Sequence, residues 1–339
     1  MGSLSSPPGG LHDVPTPQAC DTAPMALPAP LLGRLRLPVV AAPMFLVSGP
    51  ELVVACCRAG VLGSFPALNQ RSTAGFVAWL KEIGAALGSD DAPFAVNLIV
   101  IVHRSNARLE ADLAAIVAHR VPVVITSLGA VSTVVEAVHG YGGVVFHDVT
   151  TARHARKAAD AGVDGLILVA AGAGGHAGTL SPFALVAEVR RFFSGTVLLA
   201  GALTTGADVL AAQVLGADLA YLGTRFAATR ESLASDGYRQ MMTEATASDI
   251  VYTAGVSTVG ANFLRMSLEA AGLDPYLLPA PDRPDLTHLT NPTETDAKAW
   301  RDIWSAGHGV GSIHDIPSVA DLVNRLTTEY AAAKASVAS

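Results

Sequence analysis

The sequence predicts an α/β fold, a (β/α)8 TIM barrel with a small, mainly helical cap inserted after the eighth strand. Three observations predict it. Eight short, near-continuously apolar runs rich in Val, Ile and Leu recur between residues 37 and 226, as strands covered on both faces of a parallel sheet do. The stretches between them carry apolar residues at helical spacing, with recognisable start and stop residues. The chain has 339 residues, half of them hydrophobic and 15% charged, which is ample for one large unit of this kind. An open doubly wound sheet is the competing architecture.

The runs are "LPVVAAPM" (37–44), "GVLGSF" (60–65), "FAVNLIV" (94–100) and "VPVVITSL" (121–128), then "GVVFHDV" (143–149), "DGLILVAA" (164–171), "TVLLAGAL" (196–203) and "LAYLGTRF" (219–226). Thr150 and Thr151 are candidate N-caps of a helix that Gly162 ends. Ser181 and Pro182 open another in cap and first-helical positions, and "TTGADVLAAQVLGA" a third. Residues 1–30 hold seven prolines among Ser, Gly and Thr and read as a disordered tail. The barrel is expected over 31–228 and 293–335, with 229–292 as the cap. Trp300 and Trp304, four apart on a terminal helix, read as packing anchors.

Composition narrows the function. A net charge of −7 gives no reason to expect a nucleic-acid partner, and no apolar run reaches the ~18 residues of a membrane span. Residues 1–33 contain no Lys or Arg, so this stretch lacks the basic start of a secretory signal, and a cytoplasmic location is expected. Cys20, Cys56 and Cys57 show no metal-ligand spacing; the adjacent pair reads as small core residues of a helix rather than a redox pair.

In a barrel of this kind the active site lies at the C-terminal ends of the strands. That rule collects Pro43 and Met44, Ser64, Asn97, Thr126 and Ser127, His147 and Asp148, the loop Gly174-Gly175-His176-Ala177-Gly178, Ala200-Gly201-Ala202, and Gly223-Thr224-Arg225. The set is rich in glycine and poor in charge. It has no carboxylate pair for glycoside chemistry and no metal-ligand cluster, so no metal is expected. It suits a large, flat cofactor held by backbone amides. Gly201 and Gly223 stand where barrels bind phosphate through the loops after strands seven and eight; tight strand-to-helix turns are the other reading of both. Thr224 offers a hydroxyl, and Arg225 a charge if it points inward. No GxGxxG follows the first strand, so a dinucleotide fingerprint is absent. His176, on a glycine loop at the mouth, is suited to general-base work; a surface or hydrogen-bonding role is the alternative. His147 and His154 are rivals.

"AAPM" (41–44), "VNL" (96–98), "AGAGGHAG" (171–178), "LAGAL" (199–203) and "LGTRF" (222–226), supported by "FLRMSLEAAGLDP" and "WSAGHGVGSIHDIP", resemble the nitronate monooxygenase family, formerly 2-nitropropane dioxygenases. These are FMN-dependent barrels related to flavin-dependent enoyl-acyl-carrier-protein reductases. The resemblance runs from about residue 35 to 330. It implies that Ala42, Pro43 and Met44 lie against the flavin and that Asn97 reaches its ring or ribityl chain. It implies that Gly174 and Gly175 let the loop pass close to FMN, and that Gly201, Ala202, Leu222, Gly223 and Thr224 hold its phosphate. His176 is then the catalytic base. There are departures: Gly172 stands where many members carry Glu, and Val169 where some carry Gln. Asp148 replaces a Lys of certain relatives, Ala202 a second Gly, and His308 an expected Gln.

The function this implies is oxidative denitrification: an alkyl nitronate or nitroalkane and O2 yield a carbonyl compound and nitrite. The alternative is an NAD(P)H-dependent flavin reductase acting on quinones or enoyl thioesters, which makes NAD(P)H a second candidate partner. An IMP-dehydrogenase-type barrel would need a loop cysteine, and none follows Cys57. A flavin-binding scaffold without turnover is the reading outside enzymology. An oligomer is allowed; neither it nor the physiological substrate is legible.

Overall fold

The computed structural model describes residues 27–100, 107–129, 131–279 and 301–338. The expected tail, except for its last four residues, lies outside them, as do Trp300 and residues 280–292 of the expected cap.

Eight parallel strands form the barrel. The first half comprises β1 (Val39–Ala41), β2 (Gly63–Pro66), β3 (Phe94–Ile99) and β4 (Val123–Ser127). The second half comprises β5 (Val144–Val149), β6 (Gly165–Val169), β8 (Thr196–Ala200) and β9 (Leu219–Leu222). Hydrogen-bonded neighbours run β1-β9-β8-β6-β5-β4-β3-β2, and a parallel bridge from Val40 to Leu62 joins the two ends of that order. All eight coincide with the apolar runs.

Residues alternate along each strand between two cores. Val40, Ala95, Ile125, Phe146, Ile167, Leu198 and Leu219 fill the interior, whereas Val39, Val96, Val124, Val145, Leu166, Val197 and Ala220 face the outer helices. Those helices are α1 (Pro50–Ala59), α2 (Thr73–Ala86), α3 (Leu109–Ala118), α4 (Ser132–His139), α5 (Ala152–Asp160), α6 (Pro182–Arg190) and α7 (Gly206–Val214).

The predicted start signals are largely realised. Thr151, not Thr150, caps α5 by accepting from the His154 N–H, and Gly162 adopts φ +84° just past its end. Thr205 and Asp208 form a reciprocal capping box on α7. Pro182 sits at the start of α6, but the Ser181 side chain makes no cap bond. Cys56 and Cys57 are fully buried in α1, and burial pushes the Cys57 thiol up to about 12, so the pair is core. The long helix α11 (Val319–Ala338) covers the α7 side of the barrel, where Glu329 Oε2 accepts from the Gly206 N–H at 2.7 Å. No helix among the described residues is long and apolar enough to cross a membrane.

The segment after β9 holds more sheet than its helical spacing predicts. Short α8 (Thr224–Ala227) and α9 (Asp236–Glu244) are followed by a hairpin, β10 (Ile250–Thr253) and β11 (Ala261–Leu264), and by α10 (Arg265–Ala270). The hairpin pairs with β7 (Gly175–His176), so the glycine–histidine segment expected as a loop is the third strand of an antiparallel sheet. Its partners are 85 and 87 residues away in sequence, Ala261 facing His176 and Asn262 facing Gly175, and local pattern carries no signal for such pairing. Trp304 lies beyond the helical residues. Its ring stacks on Tyr238 at 5.2 Å with an interplanar angle of 11°, an anchor as expected.

Candidate active site

A cavity of about 1220 Å³ opens at the C-terminal ends of the barrel strands. Interior positions lie two apart along a strand, so the residues following Ala95, Ile125, Phe146, Ile167 and Leu219 by two form the floor. These are Asn97, Ser127, Asp148, Val169 and Tyr221. Thr126 and His147 have the opposite parity and turn toward the helix layer, where His147 borders an extension of the cavity beside His154 and Lys157 of α5.

The floor is wired by hydrogen bonds. Asn97 Nδ2 donates to Ile125 O at 3.2 Å and to Ser127 Oγ at 2.8 Å, and the Ser127 hydroxyl donates to Asp148 Oδ2. Asp148 Oδ1 is buried without a partner among the described residues. Burial raises the Asp148 carboxyl to about 6, against the lowering effect of the Ser127 bond.

On the first strand's side, Ala42, Pro43 and Met44 line the wall as expected. Asn69, which sequence reasoning missed, pins this turn: its Nδ2 donates to Met44 O at 3.1 Å and to Ser48 O at 2.7 Å. His176 is half-buried on the cavity wall, held by β11 behind it. Asn262 Nδ2 donates to Ala173 O at 2.6 Å in a buried contact, which ties the hairpin to the glycine segment.

The glycines divide into two groups. A Cβ at Gly174 would meet Gly307 N at 2.9 Å, and one at Gly178 would meet Val169 O at 2.6 Å; both positions are closed by the protein's own backbone. A Cβ at Gly201 would meet Ala171 O at 2.8 Å, and its φ of +136° excludes other residues as well. Gly175 (φ +69°) has nothing within 4 Å, and a Cβ at Gly223 would meet nothing closer than Ala42 at 3.8 Å. Both line the cavity. Close approach of a ligand to the backbone is therefore available at Gly175 and Gly223, whereas Gly174 is explained by chain packing.

Thr224 lines the cavity, but its Oγ1 already accepts from the Gly307 N–H at 2.9 Å. The Leu222 side chain packs into the outer core; it touches the site only through its carbonyl, which accepts from the Ala42 N–H at 2.9 Å. Arg225 does not point inward: it is 3% exposed and pairs with Asp315 at 3.1 Å on the far side. His147 sits 2.8 Å from Thr126 Oγ1, and burial lowers it to about 4, so it is neutral at physiological pH.

The chain matches the nitronate monooxygenase family over residues 31–329. It belongs to that family. As a member, it is an oxidoreductase. A nitronate monooxygenase of Paraburkholderia phytofirmans is 29% identical over 73% of this chain and 78% of its own length. Among solved structures, the nitroalkane oxidase of Streptomyces ansochromogenes superposes with a TM-score of 0.77 at 27% identity, covering 91% of this chain and all of that one. The (3aS,4S,5R,7aS)-5-hydroxy-7a-methyl-1-oxo-octahydro-1H-indene-4-carboxyl-CoA dehydrogenase of Mycobacterium tuberculosis is 29% identical over 72% of this chain and 68% of that relative.

Two of the departures from the family pattern lie against each other. Gly172 O accepts from the His308 N–H at 2.9 Å, and a Cβ at Gly172 would sit 3.2 Å from His308 Nδ1. With φ at +86°, position 172 has little room for a side chain. Tyr221, Tyr238, Tyr252 and Gly307 also line the cavity. Of these only Tyr221 could have been found in the sequence, from its parity in the eighth run.

The residues present fit a flavin. The cavity exceeds the ~300–1,000 Å³ of most small-molecule sites. Gly175 and Gly223 leave backbone open to it, and Asp148 Oδ1 on its floor awaits a hydrogen-bond partner.

Proposed function

We propose that this chain is an FMN-dependent enzyme that converts alkyl nitronates and nitroalkanes, with O2, to a carbonyl compound and nitrite, with His176 as general base. The observation that carries the reading is His176 on the wall of a barrel-mouth cavity beside two glycines whose backbone is open to it. The identities to a nitronate monooxygenase and a nitroalkane oxidase support the substrate class.

Ala42, Pro43 and Met44 would form the wall for the isoalloxazine ring, Gly175 would permit close approach, and Gly201, Ala202, Gly223 and Thr224 would hold the phosphate. FMN bound there would supply the redox chemistry between substrate and O2. His176 takes the α-proton of a neutral nitroalkane; a nitronate arrives already deprotonated and needs no base. Apolar walls around the polar floor lower the local dielectric, which strengthens the polar contacts made there.

Nitrite release and O2 uptake test this. His176→Asn is expected to retain FMN and lose roughly 10²–10⁴-fold on the nitroalkane, with a much smaller loss on its nitronate. Equal losses overturn the base assignment, and no nitrite from wild type overturns the reading. The cavity volume and the CoA-ester dehydrogenase relative favour a second reading, an NAD(P)H-dependent flavin reductase of larger substrates.

A further inference from the structure

Asp148 is a floor residue whose hydrogen bonding the described residues leave half complete. Its place is set by β5: Phe146, two residues earlier, fills the barrel interior, so the Asp148 side chain shares that face and lines the cavity. The direction of each bond in the chain above it is fixed. Asn97 Nδ2 can only donate, so Ser127 Oγ accepts from it and turns its own hydrogen to Asp148 Oδ2. Oδ2 is thus an acceptor, and Oδ1 is buried with no donor to satisfy a charge on it. An ionised carboxylate with one bare, buried oxygen is costly, and a proton on that oxygen lowers the cost and leaves an O–H donor that calls for an acceptor. Burial shifts this carboxyl to about 6, and an acceptor placed against Oδ1–H favours the neutral form further.

We propose that Asp148 works as a neutral carboxylic acid whose Oδ1–H donates a hydrogen bond to an oxygen of the molecule bound in the cavity. The proposal rests on the reading that the cavity holds a flavin and an oxyanion-bearing substrate. The acceptor is a ring carbonyl of the flavin or an oxygen of the nitro group or nitronate. A lysine at this place would offer a fixed positive charge; a neutral acid offers a donor of fixed direction instead.

The other titratable groups on the same cavity are His147 on β5, His154, Lys157 and Asp160 on α5, His176 on β7 and the tyrosines Tyr221, Tyr238 and Tyr252. Burial keeps His147 uncharged and holds Tyr221 and Tyr238 as phenols. Any pH dependence that survives in a variant without the Asp148 carboxyl belongs to the remaining groups.

Asparagine tests the proposal because it copies the neutral acid: its Oδ1 accepts from Ser127 while its Nδ2 donates to the ligand. FMN is titrated into apoprotein, and nitrite into FMN-loaded protein followed by flavin absorbance, between pH 5.5 and 7.5. If a flavin carbonyl is the acceptor, Asp148→Ala weakens FMN roughly tenfold, Asp148→Asn does not, and wild type weakens as pH rises while the Asn variant stays flatter. If the acceptor is a substrate oxygen, nitrite follows this pattern and FMN does not. Asn as weak as Ala in both titrations, or variants that all match wild type, would overturn the proposal while leaving the flavin reading intact. Wild-type protein that takes up no FMN would overturn both.

Discussion

His176 faces Ala261 across an antiparallel ladder, and the next residue, Asn262, reaches back through its side chain to Ala173 O at 2.6 Å. The candidate base is therefore positioned from behind by a hairpin 85 residues further along the chain. Asn262→Ala removes a buried donor and leaves that carbonyl unsatisfied, at a cost of about 1–3 kcal/mol. The expected outcome is bound FMN with a lower kcat on nitroalkane. Unchanged kcat with lowered Tm would confine Asn262 to stability.

Gly172 and His308 make a second pair. Gly172→Glu, which introduces the residue the family resemblance leads one to expect, places a side chain at φ +86° and against His308 Nδ1. Backbone strain of this kind costs about 1–3 kcal/mol, and thermal unfolding should show a Tm lowered by a few degrees. His308→Gly in the same chain relieves the contact but not the dihedral, so recovery should be partial.

Thr224 Oγ1 serves the Gly307 N–H. Thr224→Ser keeps that acceptor and Thr224→Val removes it, so Val should lower stability by about 1–2 kcal/mol in chemical denaturation and Ser by less. If Thr224 also meets the FMN phosphate, the Val variant alone weakens FMN binding.

His147 gives a pH dependence with a definite sign. Its pKa falls from 6.5 to about 4 in the folded chain, so between those values the unfolded state binds a proton that the folded state does not. Stability from this group rises with pH across that window and is lost as pH falls toward 4, on the order of 3 kcal/mol. Asp148, raised to about 6, acts in the opposite sense, losing stability as pH rises. Comparison with His147→Gln isolates the histidine: the variant's denaturation midpoint should fall less between pH 6.5 and 4.5 than that of wild type.

The barrel was legible because its strands are buried on both faces and announce themselves as apolar runs; each of the eight lies where its run does. The strand-end rule also brought Asn97, Asp148, His176 and Gly223 to one cavity. What escaped depends on non-local pairing or on parity. β7 becomes a strand only because residues 261–262 arrive beside it. Gly174 reads in sequence like Gly175, yet Gly307 closes one and nothing closes the other. Arg225 and Leu222 sit in the phosphate motif but turn outward, Arg225 to Asp315 and Leu222 into the outer core.

Anaerobic addition of an alkyl nitronate to the FMN-loaded protein tests the central claim most directly. The account predicts that the visible flavin band bleaches, and that admitting O2 restores it with release of nitrite and a carbonyl compound. A band that ignores nitronate but bleaches with NADPH would contradict it.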